Sequence, residues 1–304
     1  MAFANFWSLV LPGSHDSFTY TFKNYLPPQI KVMIQTQSLS ITEQLNLGVR
    51  YFDIRLCSWQ ENILKERVYY TSHSCLCTPI ESVLGQIKEF LMIQTSEIVV
   101  LSLRADYFPM NLDLFTGNTD IVHTLDIKDK HHKSSLRDFA ESYFQDTIGI
   151  ISEITPTTRV KDLQMANQRV LIFVEYEASV SQTISSNPIY LYSSWDLTQS
   201  TDTQDNHALC TDWLKRRPVK TIDYWKTLDH QVTFESQNIL EIAKDLFYYS
   251  DGLKGMALAS NQLIREYLGN STNSDSIMKV NAITMDFADK ETIESIINAN
   301  FKYL

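Results

Sequence analysis

The sequence predicts one α/β domain spanning residues 1–304, a (β/α)8 TIM-like barrel that is distorted or incompletely closed. Three observations predict it. Strand-like apolar runs alternate with helical patterns, the order required by parallel strands joined through crossovers. About eight such strands can be counted, the number a barrel needs. The chain has 304 residues, 44% of them hydrophobic, enough for one large core. Its few Gly and Pro mark no linker, and no repeat or low-complexity tract interrupts it.

The elements follow in order. "WSLVL" reads as a first strand, closed by a Pro-Gly turn at Pro12–Gly13. "SITEQLNLG" reads as a capped helical turn ended by Gly48. "VRYFDIRLCSW" and "RVYYTSH", rich in aromatic and branched residues, read as strands two and three. In "TPIESVLGQIKEFLMIQTS", Thr78 fits an N-cap, Pro79 the first helical position and Glu81 a capping box. Ile80, Val83, Leu84, Ile87, Phe90 and Leu91 then share one helical face. "EIVVLSLRADY" is the near-continuous apolar run of a strand buried on both faces. Residues 108–135, with His123 and the adjacent His131 and His132, read as a solvated loop. A helix over 135–147, the strands "RVLIFVEYE" and "PIYLYSS", helices over 207–216 and 235–249, and a weak strand "QVTF" come next. "VNAITMDFA" is a late strand. The final helix, "DKETIESIINANF", turns Ile293, Ile296 and Ile297 inward.

A net charge of −10 argues against a nucleic-acid binder and against general attraction to anionic membranes. Cys57, Cys75, Cys77 and Cys210 are too few for a disulfide framework. His73, Cys75 and Cys77 lack the second ligand pair of a zinc site, so buried thiols are the expectation. The start "MAFANFWSLVL" has no basic leader region or small-residue cleavage site, and no run has the length of a membrane span. The expectation is a soluble monomer, cytoplasmic or exported without a recognisable leader, acting on membranes only from their surface. No metal or cofactor is expected.

In a barrel, reactive groups gather where strands end. His15 and Asp16 follow the first strand, Asp53 and Arg55 end the second, His73 the third and Arg104 the fourth, while Asp286 ends the last. Two imidazoles with pKa near ~6.5 can divide proton donation and acceptance at neutral pH. Asp16, Asp53 and Asp286 can each orient a ring. Arg55 offers a permanent forked charge that matches phosphate oxygens. Two histidines and an arginine suffice to split a phosphodiester through an internal hydroxyl. A histidine after a turn is equally compatible with a structural role, and Asp53–Arg55 with a plain ion pair, so the residues alone leave both readings open.

"LPGSHDSFTY", "SITEQLNLGVRYFDIRL", "YYTSHS", the "ESVLGQIKEFL" helix and "SEIVVLSLR" together resemble the X domain of phosphatidylinositol-specific phospholipase C, in its compact bacterial or X-domain-only form. The likeness runs from about residue 7 to 107, with weaker support at "RVLIFVEYE" and "NAITMDFAD". It implies His15 as general base on the inositol 2-hydroxyl, oriented by Asp286, and His73 as general acid assisted by Asp16. It implies Arg55 as phosphate ligand, with Asp53 supporting Arg55 and His73. It places Arg104 and Asp196 as inositol contacts. The implied activity cleaves phosphatidylinositol, or a glycosylated form, to diacylglycerol and a cyclic inositol phosphate at a membrane surface. Phe18, Tyr20, Phe22, Tyr25 and Leu26 are candidates for an apolar docking rim. Large eukaryotic relatives bind calcium through an acidic residue where this chain has Arg55, so no calcium requirement is expected. Ser74 stands where the family has Gly, and Val174-Glu175 where bacterial relatives carry a basic pair; both bear on substrate choice. The alternatives are a catalytically weak X domain that binds an inositol headgroup or a protein, and a metal-dependent barrel phosphodiesterase for soluble substrates.

Overall fold

We describe the protein from a computed structural model covering residues 4–60, 64–105, 121–123, 130–152, 154–155, 157–174, 190–192, 224–230, 252–270 and 280–303. For 121–123, 130–134, 190–192, 224–230 and Tyr303 only the backbone is described. Asp196, Glu175, Cys210, the weak strand "QVTF" and the helices expected at 207–216 and 235–249 lie outside these residues.

Strands β1 (Leu11–Ser14), β2 (Tyr51–Gln60), β3 (Val68–His73), β4 (Cys75–Pro79), β5 (Val99–Ala105), β6 (Ile121–His123), β7 (Gly149–Ile150), β8 (Gln168–Val174), β9 (Tyr190–Tyr192), β10 (Tyr224–His230) and β11 (Ala282–Met285) form one sheet. Its main path runs β7-β8-β5-β2-β1-β11-β10-β9, with every pairing parallel. β9, one end of the path, approaches β8, the strand next to the other end, with no closing hydrogen-bonded ladder among the described residues. That is an irregular barrel. β5 is buried along its whole length between β2 and β8, as its near-continuous apolar run predicts.

The helices are α1 (Pro28–Ile34), α2 (Ile41–Leu47), α3 (Ile80–Ile93), α4 (Lys130–Phe144), α5 (Val160–Met165), α6 (Leu253–Gly269) and α7 (Lys290–Tyr303). Ser40 and Glu43 form the capping box of α2, and Gly48 closes the helix at φ 113°, a left-handed conformation natural to glycine. Val83, Leu84, Ile87 and Leu91 of α3 are buried in the main core. Ile293 and Ile296 of α7 reach that core as the periodicity predicts.

Four expectations change. The first strand is not "WSLVL": Phe6–Ser8 is a 3-10 turn and β1 begins at Leu11, so Pro12–Gly13 lies inside the strand. Gly13 is there for space, because a Cβ would stand 2.9 Å from Thr284 Cγ2 and 3.1 Å from Tyr51 Cδ1. The third strand is not a barrel stave. β3 pairs antiparallel with the outer half of β2 and turns into β4, forming an arm outside the parallel path. Thr78 does not cap α3; it belongs to that arm, where its N–H donates to Thr71 Oγ1 and its carbonyl accepts from the same hydroxyl. Pro79 holds the cap position instead. Finally, α4 starts at Lys130 and takes in His131 and His132, rather than beginning near 135.

Candidate active site

Strand register assembles the site. Ser14 pairs with Phe52 on one side and Met285 on the other. The next residues, His15, Asp53 and Asp286, therefore emerge side by side where the three strands end or pass. Alternation puts Arg55 on the face of Asp53, and Arg55 pairs with Arg104 of β5. His73 comes from the β3–β4 arm and closes the far side.

His15 Nδ1 lies 2.7 Å from Asp286 Oδ1, which fixes the proton of a neutral ring on Nδ1. Its Nε2 lies 2.7 Å from an Arg55 terminal nitrogen and 3.1 Å from Asp16 Oδ2. Those contacts need opposite states: Arg55 donates only to a bare Nε2, whereas Asp16 accepts only from a protonated one. Burial works hardest against a charged ring, and Arg55 also opposes it. Asp16 and Asp286 together outweigh them, raising the His15 pKa to about 9. At neutral pH His15 is thus an imidazolium facing Asp16; above that pKa it accepts from Arg55.

His73 Nδ1 lies 2.7 Å from the carbonyl of Ile34, to which its N–H donates. Its Nε2 faces Asp16 Oδ2 at 3.4 Å. The two imidazole centroids are 6.3 Å apart, edge to face, with Asp16 shared between them. Asp16 is fully buried, yet Arg55, His15, His73 and Arg104 hold its carboxyl below the usual range against the burial that pushes it up. Arg55 Nε contacts Asp16 Oδ1 at 2.9 Å.

Asp53 pairs with Arg104 Nε at 3.1 Å and stands 3.9 Å from Arg55 Nε and 4.0 Å from His15 Nε2. It also accepts the Asp16 N–H at 3.5 Å. None of these contacts runs to His73. Arg104, expected beside the inositol, is 5% exposed and turned onto Asp53. Arg55 and His73 are the more open members, at 18% and 20% side-chain exposure against 5% for His15. A ligand must approach from their side.

His15, Asp16 and Asp53 are the group that could hold a metal ion among the described residues. The Arg55 guanidinium already engages ligand atoms of His15 and Asp16, so a cation there would have to displace it. Cys57, Cys75 and Cys77 are buried free thiols, and burial pushes Cys77 well above the ordinary thiol value.

Backbone strain marks the same place. Of four non-glycine residues at positive φ among the described residues, three adjoin site residues: Asp16 (40°), Ser74 (58°) and Phe287 (46°). Such conformations persist only where surroundings over-determine them. Ser74 therefore adopts the angle that a glycine would take without cost.

Sequence reasoning missed the segment Ile34–Gln37. It supplies the carbonyl that orients His73, and Thr36 and Gln37 bind the loops of His15 and Asp286. Gln35–Ser38 is a short polar run after the apolar Val32–Ile34 and matches no motif, so nothing in the sequence singled it out.

Comparison with known proteins now adds the family. Residues 9–114 match the family described as "Phosphatidylinositol-specific phospholipase C, X domain". Those residues are similar to that X domain over part of the chain. A mouse "PI-PLC X domain-containing protein 1" is 25% identical over 97% of this chain and 82% of its own length. A Staphylococcus aureus "1-phosphatidylinositol phosphodiesterase" is 31% identical over 32% of this chain and 29% of its own length. Three further relatives with X domains are matched over 14%, 41% and 36% of their length, so the likeness spans well under half of each. The phosphatidylinositol-specific phospholipase C of Listeria monocytogenes superposes with a TM-score of 0.59 at 17% identity, covering 99% of this chain and 96% of that one. The fold is therefore the TIM-type barrel of the bacterial phospholipases C, as expected.

Proposed function

We propose that the chain is a metal-independent phosphatidylinositol-specific phospholipase C, a phosphoric diester hydrolase of the phosphorus–oxygen lyase type. The observation that carries this is the pair of imidazoles 6.3 Å apart sharing Asp16, with Arg55 on both Asp16 and His15. A headgroup-binding module has no use for two proton-transfer groups with separately fixed tautomers.

The reactive form is the enzyme whose His15 has lost its Nε2 proton and accepts from Arg55; the bound phosphate takes the Arg55 donors and frees that Nε2. Neutral His15 then accepts the inositol 2-hydroxyl proton while that oxygen attacks phosphorus. Asp286, through Nδ1, stabilises the imidazolium that forms. Arg55 balances the charge growing on the phosphoryl oxygens. His73, steadied by the Ile34 carbonyl, gives its Nε2 proton to the departing diacylglycerol oxygen. The P–O bond to glycerol breaks as the P–O bond to the 2-oxygen forms, giving the 1,2-cyclic phosphate and diacylglycerol.

The substrate implies a lipid surface. No helix among the described residues is long and apolar enough to cross a membrane, so docking is peripheral. The expected rim divides: Phe18 is fully buried core, Tyr20 and Phe22 pack against that core, and Tyr25 is 80% exposed. α1 has no buried residue, and Ser17 to Thr42 carries Lys23 and Lys31 but no acidic residue. Tyr25 and α1 are thus the docking face, beside the carbonyl that holds His73.

Phosphorus NMR of phosphatidylinositol vesicles with purified protein tests the reading. A transient cyclic phosphate supports it. No turnover leaves a binding module, and glycerol phosphate indicates a different phosphodiesterase. His15→Ala and His73→Ala should each lower turnover by about 10²–10⁴-fold.

A further inference from the structure

We propose that Gln37 is a positioning residue of this site: its buried amide clamps the turn bearing Asp286 to the turn bearing His15 and so sets the contact between those two side chains. The inference deepens the proposed reaction and rests on it for the residue's role in turnover.

Gln37 is 1% exposed. Its Nε2 donates to the carbonyls of His15 at 3.0 Å and Met285 at 2.8 Å, and its Oε1 accepts the Ala288 N–H at 3.1 Å. The amide thus touches the backbone at His15 and on both sides of Asp286. Two donors and one acceptor are needed at this point, and among side chains of this length only an amide offers them. A glutamate would set one carboxylate oxygen against both carbonyls.

The neighbouring Thr36 works in the same direction. Its Oγ1 donates to the His15 carbonyl at 3.2 Å, and its own carbonyl accepts the Phe287 N–H at 2.6 Å. The turns being held are those with left-handed residues at Asp16 and Phe287, which would relax if released. Relaxation would lengthen the 2.7 Å contact from His15 Nδ1 to Asp286 Oδ1 without altering either side chain. The other ionisable groups around His15 are Asp16 of its own loop, Asp53 and Arg55 of β2, and His73 of β3. None of them is bonded to Gln37.

The test is Gln37→Met and Gln37→Glu in the full chain, read by NMR titration of the His15 ring and by kcat and KM on phosphatidylinositol vesicles. Asp16 and Asp286 raise His15 to about 9; in Gln37→Met the midpoint should fall toward the ordinary ~6.5, and in Gln37→Glu the added carboxylate should offset part of that fall. kcat falls about 10- to 100-fold, the scale of a slightly misplaced group, with KM nearly unchanged. Should the Gln37 variants fail to fold, Thr36→Val removes one bond of the same clamp and must move the midpoint the same way. A midpoint and kcat that stay at parental values overturn the proposal. The titration needs no turnover. A parent that cleaves nothing while its Gln37 variants shift His15 sinks the phospholipase reading and leaves the clamp standing.

Discussion

Replacing Asp286 by Asn keeps the size of the side chain and removes one of the two carboxylates that raise His15. The net rise, from 6.5 to about 9, amounts to roughly 3 kcal/mol in favour of the charged ring at about 1.4 kcal/mol per unit. Asp16 and Asp286 share that effect, so the variant should titrate at least about one unit lower. Because His15 must be neutral to accept a proton in the proposed reaction, turnover should rise with pH through its pKa. The acid limb of the parental profile should thus stand above 6.5, and in Asp286→Asn it should move down. The maximal rate should also drop, by about 10²–10⁴-fold, as orientation and imidazolium stabilisation are lost. Stability gives a second sign. A folded pKa above the unfolded value stabilises the fold fully below pH 6.5, and that contribution disappears as pH rises through 9. The variant should therefore lose more stability at pH 6 than at pH 9.5. Ring NMR, pH–rate profiles and denaturation at the two pH values measure these effects. An unmoved His15 midpoint, or an equal stability loss at both pH values, would refute the reasoning.

Arg55→Lys keeps the charge but loses the fork that spans Asp16 and His15; turnover should fall about 10²–10³-fold, measured on vesicles at saturating lipid. Ser74→Gly removes a side chain from a residue at φ 58°. It should stabilise the protein by up to about 1 kcal/mol in denaturant titration, the relief of left-handed strain less the entropy glycine adds to the unfolded chain. Excess chelator should leave cleavage of phosphatidylinositol unchanged, since Arg55 supplies the positive charge; a loss that only calcium restores would contradict this. Gly13→Ala should cost about 1–3 kcal/mol by forcing a methyl against Thr284 and Tyr51, seen as a lower Tm.

The parallel strands and most of the site were legible because they depend on local pattern and strand-end placement. The apolar run of β5, the Ser40–Glu43 box and the stripe of α3 each declare their element within about a dozen residues. His15, Asp53, Arg55 and Asp286 could be listed because parallel strands end together. What stayed hidden depends on contacts distant in sequence. Gly13 reads as a turn residue until Thr284 and Tyr51 are known to press on it. Thr78 reads as a cap until its bonds to Thr71 assign it to an arm. The orienting carbonyl of Ile34 belongs to no motif, since any residue has a carbonyl.

In the proposed reaction the proton donor and the proton acceptor ride on different supports. His15 grows from a strand locked between two neighbours inside the staves, whereas His73 sits at the tip of a two-stranded appendage tethered along one border. Changes in appendage length or seating will therefore retune how the leaving alcohol is met while the attacking half stays in place. If the proposed activity holds, diversity in the lipids cleaved has room to arise there, with the nucleophilic step preserved.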